Sequence, residues 1–211
     1  MQILLPALPV IKETFQVSTE VAQLTLSLSM LAIALGTLFY GPLSDKYGRK
    51  PVMLLGLFIT IVGSIFCFLA NTIELLIVGR FIQAFGGAVG LVLARAIVRD
   101  VYGAQEAARV IATLVMVMVV IPMLSPALGG EIMHRIGWEY VFVIIALACI
   151  LILLLLSKSL PETLKEPVPF TGTIAMLKNY GLLFKSRAFC GYAFCVTFVS
   201  VVFFSFISAA P

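Results

Sequence analysis

The sequence predicts an all-α integral membrane protein, and three observations carry that class. Of its 211 residues, 62% are hydrophobic and 11% are charged, with a mean hydropathy of +1.15; a soluble domain carries roughly 25% charged residues. Apolar runs of about 20 residues, the length needed to cross the hydrocarbon core, recur between short breaks rich in Gly, Pro and charge. No run alternates with a strand's period of two, and the open edge of a sheet has no hydrogen-bond partners in lipid.

Taken in order, the runs predict one partial span over 1–12 and six fuller ones over 20–41, 52–70, 73–98, 108–131, 139–157 and 188–211. The first apolar run, Ile3 to Ile11, is too short to cross, so the first helix is expected to be shortened or to begin late. The opening residues do not read as a cleaved leader, since no basic stretch precedes the apolar start. Short links follow at Lys12 to Thr19, at Asn71-Thr72 and at Ile132 to Trp138. Trp138 suits an anchor at headgroup level. Between the second and third runs, Gly41 to Pro51 reads as a tight charged turn, with Pro42 and Pro51 stopping and starting helices. Residues 158–187 hold three prolines and five basic residues and read as a joining loop, in which Phe170, Ile174 and Leu177 could lie along the membrane surface. The domain reading is a six-helix body over 1–157, a cytoplasmic loop over 158–187, and the first helix of a second half over 188–211.

Charge orients the chain. Eleven of the 14 Lys and Arg fall at positions predicted to be cytoplasmic, with Lys12, Arg80 and Arg135 elsewhere. The net charge of +4 is therefore an orientation signal and not a nucleic-acid footprint. The cysteines at 67, 149, 190 and 195 lie in apolar runs without metal-ligand spacing and read as small buried hydrophobes. No nucleophile–base–orienter set and no phosphate-binding loop is present, which argues against an enzyme and an ATP-driven pump. Glu131, Glu139 and His134 sit near the outer ends of runs and read as interfacial or solvated.

Three places could carry chemistry. Arg80, Gln83, Gly87, Gly90 and Ala94 advance by threes and fours, which puts them on one helical stripe whose small residues would admit a neighbouring helix. Arg80 is either a charge facing a cavity or partner, or a helix-end side chain that snorkels to the interface. Asp100 sits at a helix C-terminus, where an acid is unfavourable unless paired, and Arg99 or Arg49 could pair with it. Pro122, Ser125, Pro126, Gly129 and Gly130 interrupt the fifth run, either as a flexible segment beside a watery cavity or as a kink for packing.

Several of these stretches resemble the major facilitator superfamily of secondary transporters. Gly41-Pro42-Leu43-Ser44-Asp45-Lys46-Tyr47-Gly48-Arg49-Lys50 is similar to its loop between the second and third helices. Arg80-Phe81-Ile82-Gln83-Ala84-Phe85-Gly86 resembles the fourth-helix motif of proton-driven members. Ser125-Pro126-Ala127-Leu128-Gly129-Gly130 resembles the antiporter motif, with Ser125 in place of its first glycine. Leu5-Pro6-Ala7-Leu8-Pro9, Gly137-Trp138, Leu160-Pro161-Glu162-Thr163-Leu164 and Ile207-Ser208-Ala209-Ala210-Pro211 are similar to segments of Bcr/CflA-type drug-resistance transporters. The likeness runs through all 211 residues and stops in what would be the seventh of twelve helices.

The resemblance implies a major-facilitator-like six-helix half bundle with a shortened first helix, then a central loop and one further helix. It implies efflux of drug-like small molecules across a bacterial inner membrane by exchange with protons, through rocking of two halves about a midplane site. Arg80 and Gln83 would serve coupling, Asp45, Arg49 and Asp100 a cytoplasmic gate, and the 122–130 segment a flexible fifth helix. Gln2 stands where the subfamily commonly carries an acid, and an amide cannot exchange a proton near neutral pH. No metal or organic cofactor is implied; the partners are the bilayer, a small-molecule substrate and a second transporter half. The rival expectation is a non-transporting fragment or helper subunit that needs a partner half.

Overall fold

The structure, a computed structural model, describes residues 7–164 and 186–209; at 104, 119, 121–123, 126–128, 188 and 203–209 it describes the backbone alone. All regular structure among the described residues is α-helical: α1 Leu8–Phe15, α2 Thr19–Tyr47, α3 Arg49–Phe68, α4 Ile73–Arg135, α5 Tyr140–Ser159 and α6 Arg187–Ala209. The chain divides into two compact units, Met1–Val168 and Pro169–Pro211. The first contains α1 to α5 and both charge clusters described below; the second contains α6, whose side chains Tyr192, Phe194 and Phe198 are exposed.

Among the described residues, four helical segments are long and apolar enough to cross a membrane: Thr19–Tyr47, Arg49–Phe68, Ile73–Gly103 and Tyr140–Ser159. They fall on the runs expected at 20–41, 52–70, 73–98 and 139–157. The run expected at 108–131 is helical as well, within the second arm of α4. Residues 1–6, most of the joining loop and 210–211 lie outside the described residues, and with them Gln2 and the surface segment around Phe170.

Three local expectations are corrected. The charged stretch from Gly41 to Pro51 is not a loop. α2 continues helical through Gly41 and Pro42 to Tyr47, α3 starts at Arg49, and Gly48 alone leaves helical geometry, at φ 98° and ψ 155°. Pro42 lacks the N–H that would bond the Leu38 carbonyl one turn earlier, a loss that a membrane helix tolerates; the Ser44 hydroxyl separately donates to the Gly41 carbonyl at 2.8 Å. Pro51 falls in the first turn of α3, where its missing N–H costs nothing. Lys12 and Glu13 belong to α1 and not to a link; that helix ends at Phe15, with Gln16 left-handed at φ 50°. Trp138 is no headgroup anchor. It is 5% exposed, set edge-on to Phe15 at 5.8 Å and to Phe142 at 6.1 Å.

Two apolar clusters mark two levels of the bundle. At one end, Ile11 of α1 packs with Cys67 at the end of α3, Ile73 and Leu76 at the start of α4, and Val141 and Phe142 at the start of α5. Towards the Gly48 end, Tyr40 of α2, Val52 and Met53 of α3, and Ala88, Val89 and Leu93 of α4 form the second. Between them α3 and α4 meet backbone to backbone. A Cβ on Gly63 would lie within 2.6 Å of the Gln83 backbone, and one on Gly86 would lie 2.5 Å from Thr60 N and 2.6 Å from Gly56 O. The expectation that Gly87 and Gly90 admit the neighbour is therefore corrected. Gly87 is exposed with nothing closer than Thr60 Oγ1 at 4.0 Å, and Gly90 faces open space. The close approach uses Gly79 and Gly86, one helical position away.

Candidate functional site

At the Gly48 end, one guanidinium gathers three helices. Arg49 opens α3, and its side chain is 6% exposed. Its Nε donates to Asp100 Oδ2 at 2.9 Å, from the end of the first arm of α4. Its Nη1 donates to Ser44 Oγ at 2.6 Å and lies 2.6 Å from Asp45 Oδ1, both on α2. The two carboxylates differ: Asp45 is 45% exposed and Asp100 20%. Arginine suits this place because its planar fork offers donors in fixed directions, which one ammonium cannot match. The structure thus brings Asp45, Arg49 and Asp100 together and pairs Asp100 with Arg49, while Arg99 is exposed. Beside the cluster opens a pocket of about 490 Å³, bounded by Asp45 and Arg49 and by Val92, Ala96, Ala107 and Ile111 of both arms of α4. The arms converge there because Gly103, at φ 71°, breaks the helix between them.

The second site lies inside the bundle. Arg80 is seven residues into α4, about 10 Å along its axis at 1.5 Å per residue. It is 4% exposed, which excludes snorkelling to water. Its Nη1 donates to Gln83 Oε1 at 2.5 Å, and Gln83 Nε2 donates to Ser64 Oγ on α3 at 2.8 Å. The Ser64 hydroxyl donates in turn to the Thr60 carbonyl at 2.8 Å. Because arginine only donates, every bond in this string points away from it, and the orientation of the Gln83 amide follows. Nε and Nη2 of Arg80 are buried without a partner. No acid pairs with Arg80 among the described residues.

The backbone is helical through residues 122–130, Gly129 is buried, and Ser125 and Gly130 are half-buried. The side chains of Pro122 and Pro126 lie outside the described residues. Glu131 pairs with Arg135 on an exposed face, away from both charge clusters.

Sequence reasoning missed three participants. Ser44 was hidden among the charges of the Gly41 to Pro51 stretch and Ser64 as a hydroxyl in an apolar run, although a serine one turn after Thr60 is a visible signal for a polar helix face. Glu162 had no such signal. It lies beyond α5, yet its carboxylate accepts the backbone N–H of Arg49 at 2.8 Å and of Lys50 at 3.1 Å, 113 and 112 residues away. Burial alone would push the Glu162 carboxyl up, but backbone N–H groups of Leu164, Arg49, Lys50 and Thr163 outweigh it and hold it below the ordinary value.

The profile of the Major Facilitator Superfamily matches residues 1–211. An uncharacterized MFS-type transporter YdgK of Bacillus subtilis is 34% identical over 210 residues, covering 98% of this chain and 52% of its own length. A bicyclomycin resistance protein homolog of Haemophilus influenzae is 32% identical over 207 residues, covering 97% and 52%. The multidrug resistance protein MdtL of Escherichia coli is likewise 32% identical over 207 residues, covering 98% and 52%. The chain spans about half the length of these relatives.

Proposed function

The chain belongs to the Major Facilitator Superfamily, a family of membrane transporters, and from that premise we propose that it forms one half of an exporter of drug-like small molecules driven by the proton gradient. The named relatives support the export of drugs. The observation that carries a transport site is Arg80, a charge buried in a bundle of membrane-length helices with two nitrogens unpartnered. A charge in that setting is costly and faces a partner or pathway. Arg80 keeps its proton at every physiological pH. Its role in coupling is therefore to stabilise the ionised form of whatever acid or anionic group faces it, with Gln83 and Ser64 fixing its direction, and not to carry the proton.

In this reading the Gly48 end is cytoplasmic, as the clustering of positive charge supports. Arg49, Asp45 and Asp100 form the gate that holds one conformation. Pro122, Ser125, Pro126, Gly129 and Gly130 give the second arm of α4 the freedom to open. A second six-helix half completes the midplane cavity in a bacterial inner membrane, and no metal or organic cofactor takes part.

The test is drug susceptibility and accumulation in a host lacking its major pumps, with the chain expressed alone and with a second half, and with membrane insertion verified. Export that needs the second half and disappears in Arg80→Gln supports the reading. Equal accumulation in every strain across a broad compound panel overturns it in favour of a non-transporting helper.

A further inference from the structure

The start of α3 is a helix N-terminus that its own sequence does nothing to satisfy. Its cap residue is Gly48, which has no side chain, and its first turn carries no acid; Arg49 and Lys50 instead place positive charge where the helix dipole is already positive. The compensating anion comes from Glu162, three residues past the end of α5. One carboxylate oxygen takes the N–H of Arg49 at 2.8 Å and of Leu164 at 3.0 Å, and the other takes the N–H of Lys50 at 3.1 Å. The seat requires Gly48 twice over. Its φ of 98° disfavours other residues, and a Cβ there would stand 2.5 Å from Glu162 Oε2.

The residue whose backbone is held this way is the one whose side chain gathers Asp45 from α2 and Asp100 from α4. We propose that Glu162 is a positioning residue for this ion-pair cluster, a latch that ties the end of α5 to the first turn of α3 and so fixes the Arg49 guanidinium between its two acids. The chain runs from this latch into the segment that leads to the second unit. Movement at the end of α5 would thereby be transmitted to the gate. Glu162 is itself exposed, so water can replace its bonds, which suits a contact made in one state and broken in another. The inference deepens the transporter reading, but its test does not need transport.

The experiment uses the full chain in lipid nanodiscs, with the four native cysteines replaced by alanine and one cysteine placed at Ala96, on the wall of the pocket beside the cluster. The readout is the rate of alkylation by a charged maleimide. Glu162→Gln, which keeps the shape and removes the charge, should raise the rate about fivefold or more, the factor expected when a contact of this kind is lost. Arg49→Ala should raise it also. The double variant should be no faster than Arg49→Ala alone, because both act through one element. Glu162→Asp, which keeps the charge at a shorter reach, should fall between parent and Glu162→Gln; this variant also decides the matter if Glu162→Gln does not accumulate. A rate for Glu162→Gln within twofold of the parent, or single effects that multiply in the double variant, overturns the proposal. Equal rates for Glu162→Asp and Glu162→Gln would show that charge is not what holds the latch, and overturn it too. Absence of drug export would leave these rates unaffected.

Discussion

Replacing Asp100 by Asn tests how the Arg49 cluster is held. Arg49 is 6% exposed at the side chain, so it has given up most of its hydration, while Asp100 keeps a fifth of its exposure and Asp45 nearly half. Two unit charges 4 Å apart attract by about 4 kcal/mol at an effective dielectric of 20. A fully buried pair loses about 3–5 kcal/mol when one partner is removed, and an exposed pair under about 1 kcal/mol. Asp100 lies between those limits, and Arg49 retains Asp45 and Ser44 when it is gone. Asp100→Asn should therefore cost about 1.5–2.5 kcal/mol, or about ten- to sixtyfold in the folding equilibrium, and Asp45→Asn about 0.5 kcal/mol. The assay is equilibrium unfolding in mixed micelles, followed by the fluorescence of Trp138, the one tryptophan in the chain, buried between Phe15 and Phe142. If Asp45→Asn proves as damaging as Asp100→Asn, or if Asp100→Asn lies within about 0.3 kcal/mol of the parent, burial does not set the strength of these pairs.

Glycine substitutions should separate the α3–α4 interface from the exposed stripe. Gly63→Ala and Gly86→Ala push a methyl into backbone and should each cost about 1–3 kcal/mol, whereas Gly90→Ala, with open space around it, should be neutral or gain up to about 1 kcal/mol through helix propensity; the same unfolding titration reads all three. Arg80→Met should keep or raise stability while abolishing export, because a buried charge that no acid pairs among the described residues is replaced by an apolar chain of similar reach; loss of folded protein on that change would refute the assignment. Acidification should loosen the start of α3. The folded value for Glu162 is depressed, so its contribution is complete above the ordinary glutamate value of about 4.3 and is lost as pH falls through the lower folded value. Among the described residues, Arg49 and Lys50 on α3 meet the latch, with Asp45 and Asp100 on the far side of Arg49. Protection from hydrogen exchange at the Arg49 and Lys50 amides, taken relative to the intrinsic rate at each pH, should fall over that window in the parent, and should already be low and flat with pH in Glu162→Gln.

Much of the fold was legible because lipid leaves so few alternatives. Once backbone groups must be satisfied within each segment, an apolar run of about 20 residues fixes a helix almost regardless of its detail. The ends were harder. Pro42 and two glycines looked like a loop, but a membrane helix tolerates such residues, and the true break shrank to Gly48. The helical stripe from Arg80 placed Gln83 correctly beside it and misassigned the glycines, because a shift of one residue turns a helix by about 100° and moves the close approach from Gly87 to Gly86. Asp100 was legible as an acid misplaced at a helix C-terminus, with Arg99 or Arg49 as the candidate partners; only the resemblance singled out Arg49, with which the structure pairs it. Glu162 was not, since no local pattern reveals that a carboxylate beyond the last helix of a body will cap its third.

The two charge clusters sit in surroundings of opposite character, and this bears on how the bundle could move in the proposed transporter. Around Arg80, α3 and α4 touch through backbone at Gly56, Gly63, Gly79 and Gly86, and the string from Arg80 to Thr60 crosses that seam. Sliding one helix past the other would drive Val89 and Gln83 into backbone with no room to yield, so this level behaves as one body. At the Gly48 end the joints are side chains on carboxylates, partly open to water, around a pocket of about 490 Å³. Such contacts exchange protein partners for water at a cost of one or two kcal/mol rather than a lost core. A rigid seam at Arg80 and a releasable one at Arg49 is the division that rocking requires: the polar site keeps its geometry while the edge changes partners. The glycine and carboxylate variants test the two seams separately: a rigid-body account needs the glycine variants to alter stability without altering the alkylation rate at Ala96→Cys, and the carboxylate variants to raise that rate at a stability cost no larger than the loss of their own ion pair.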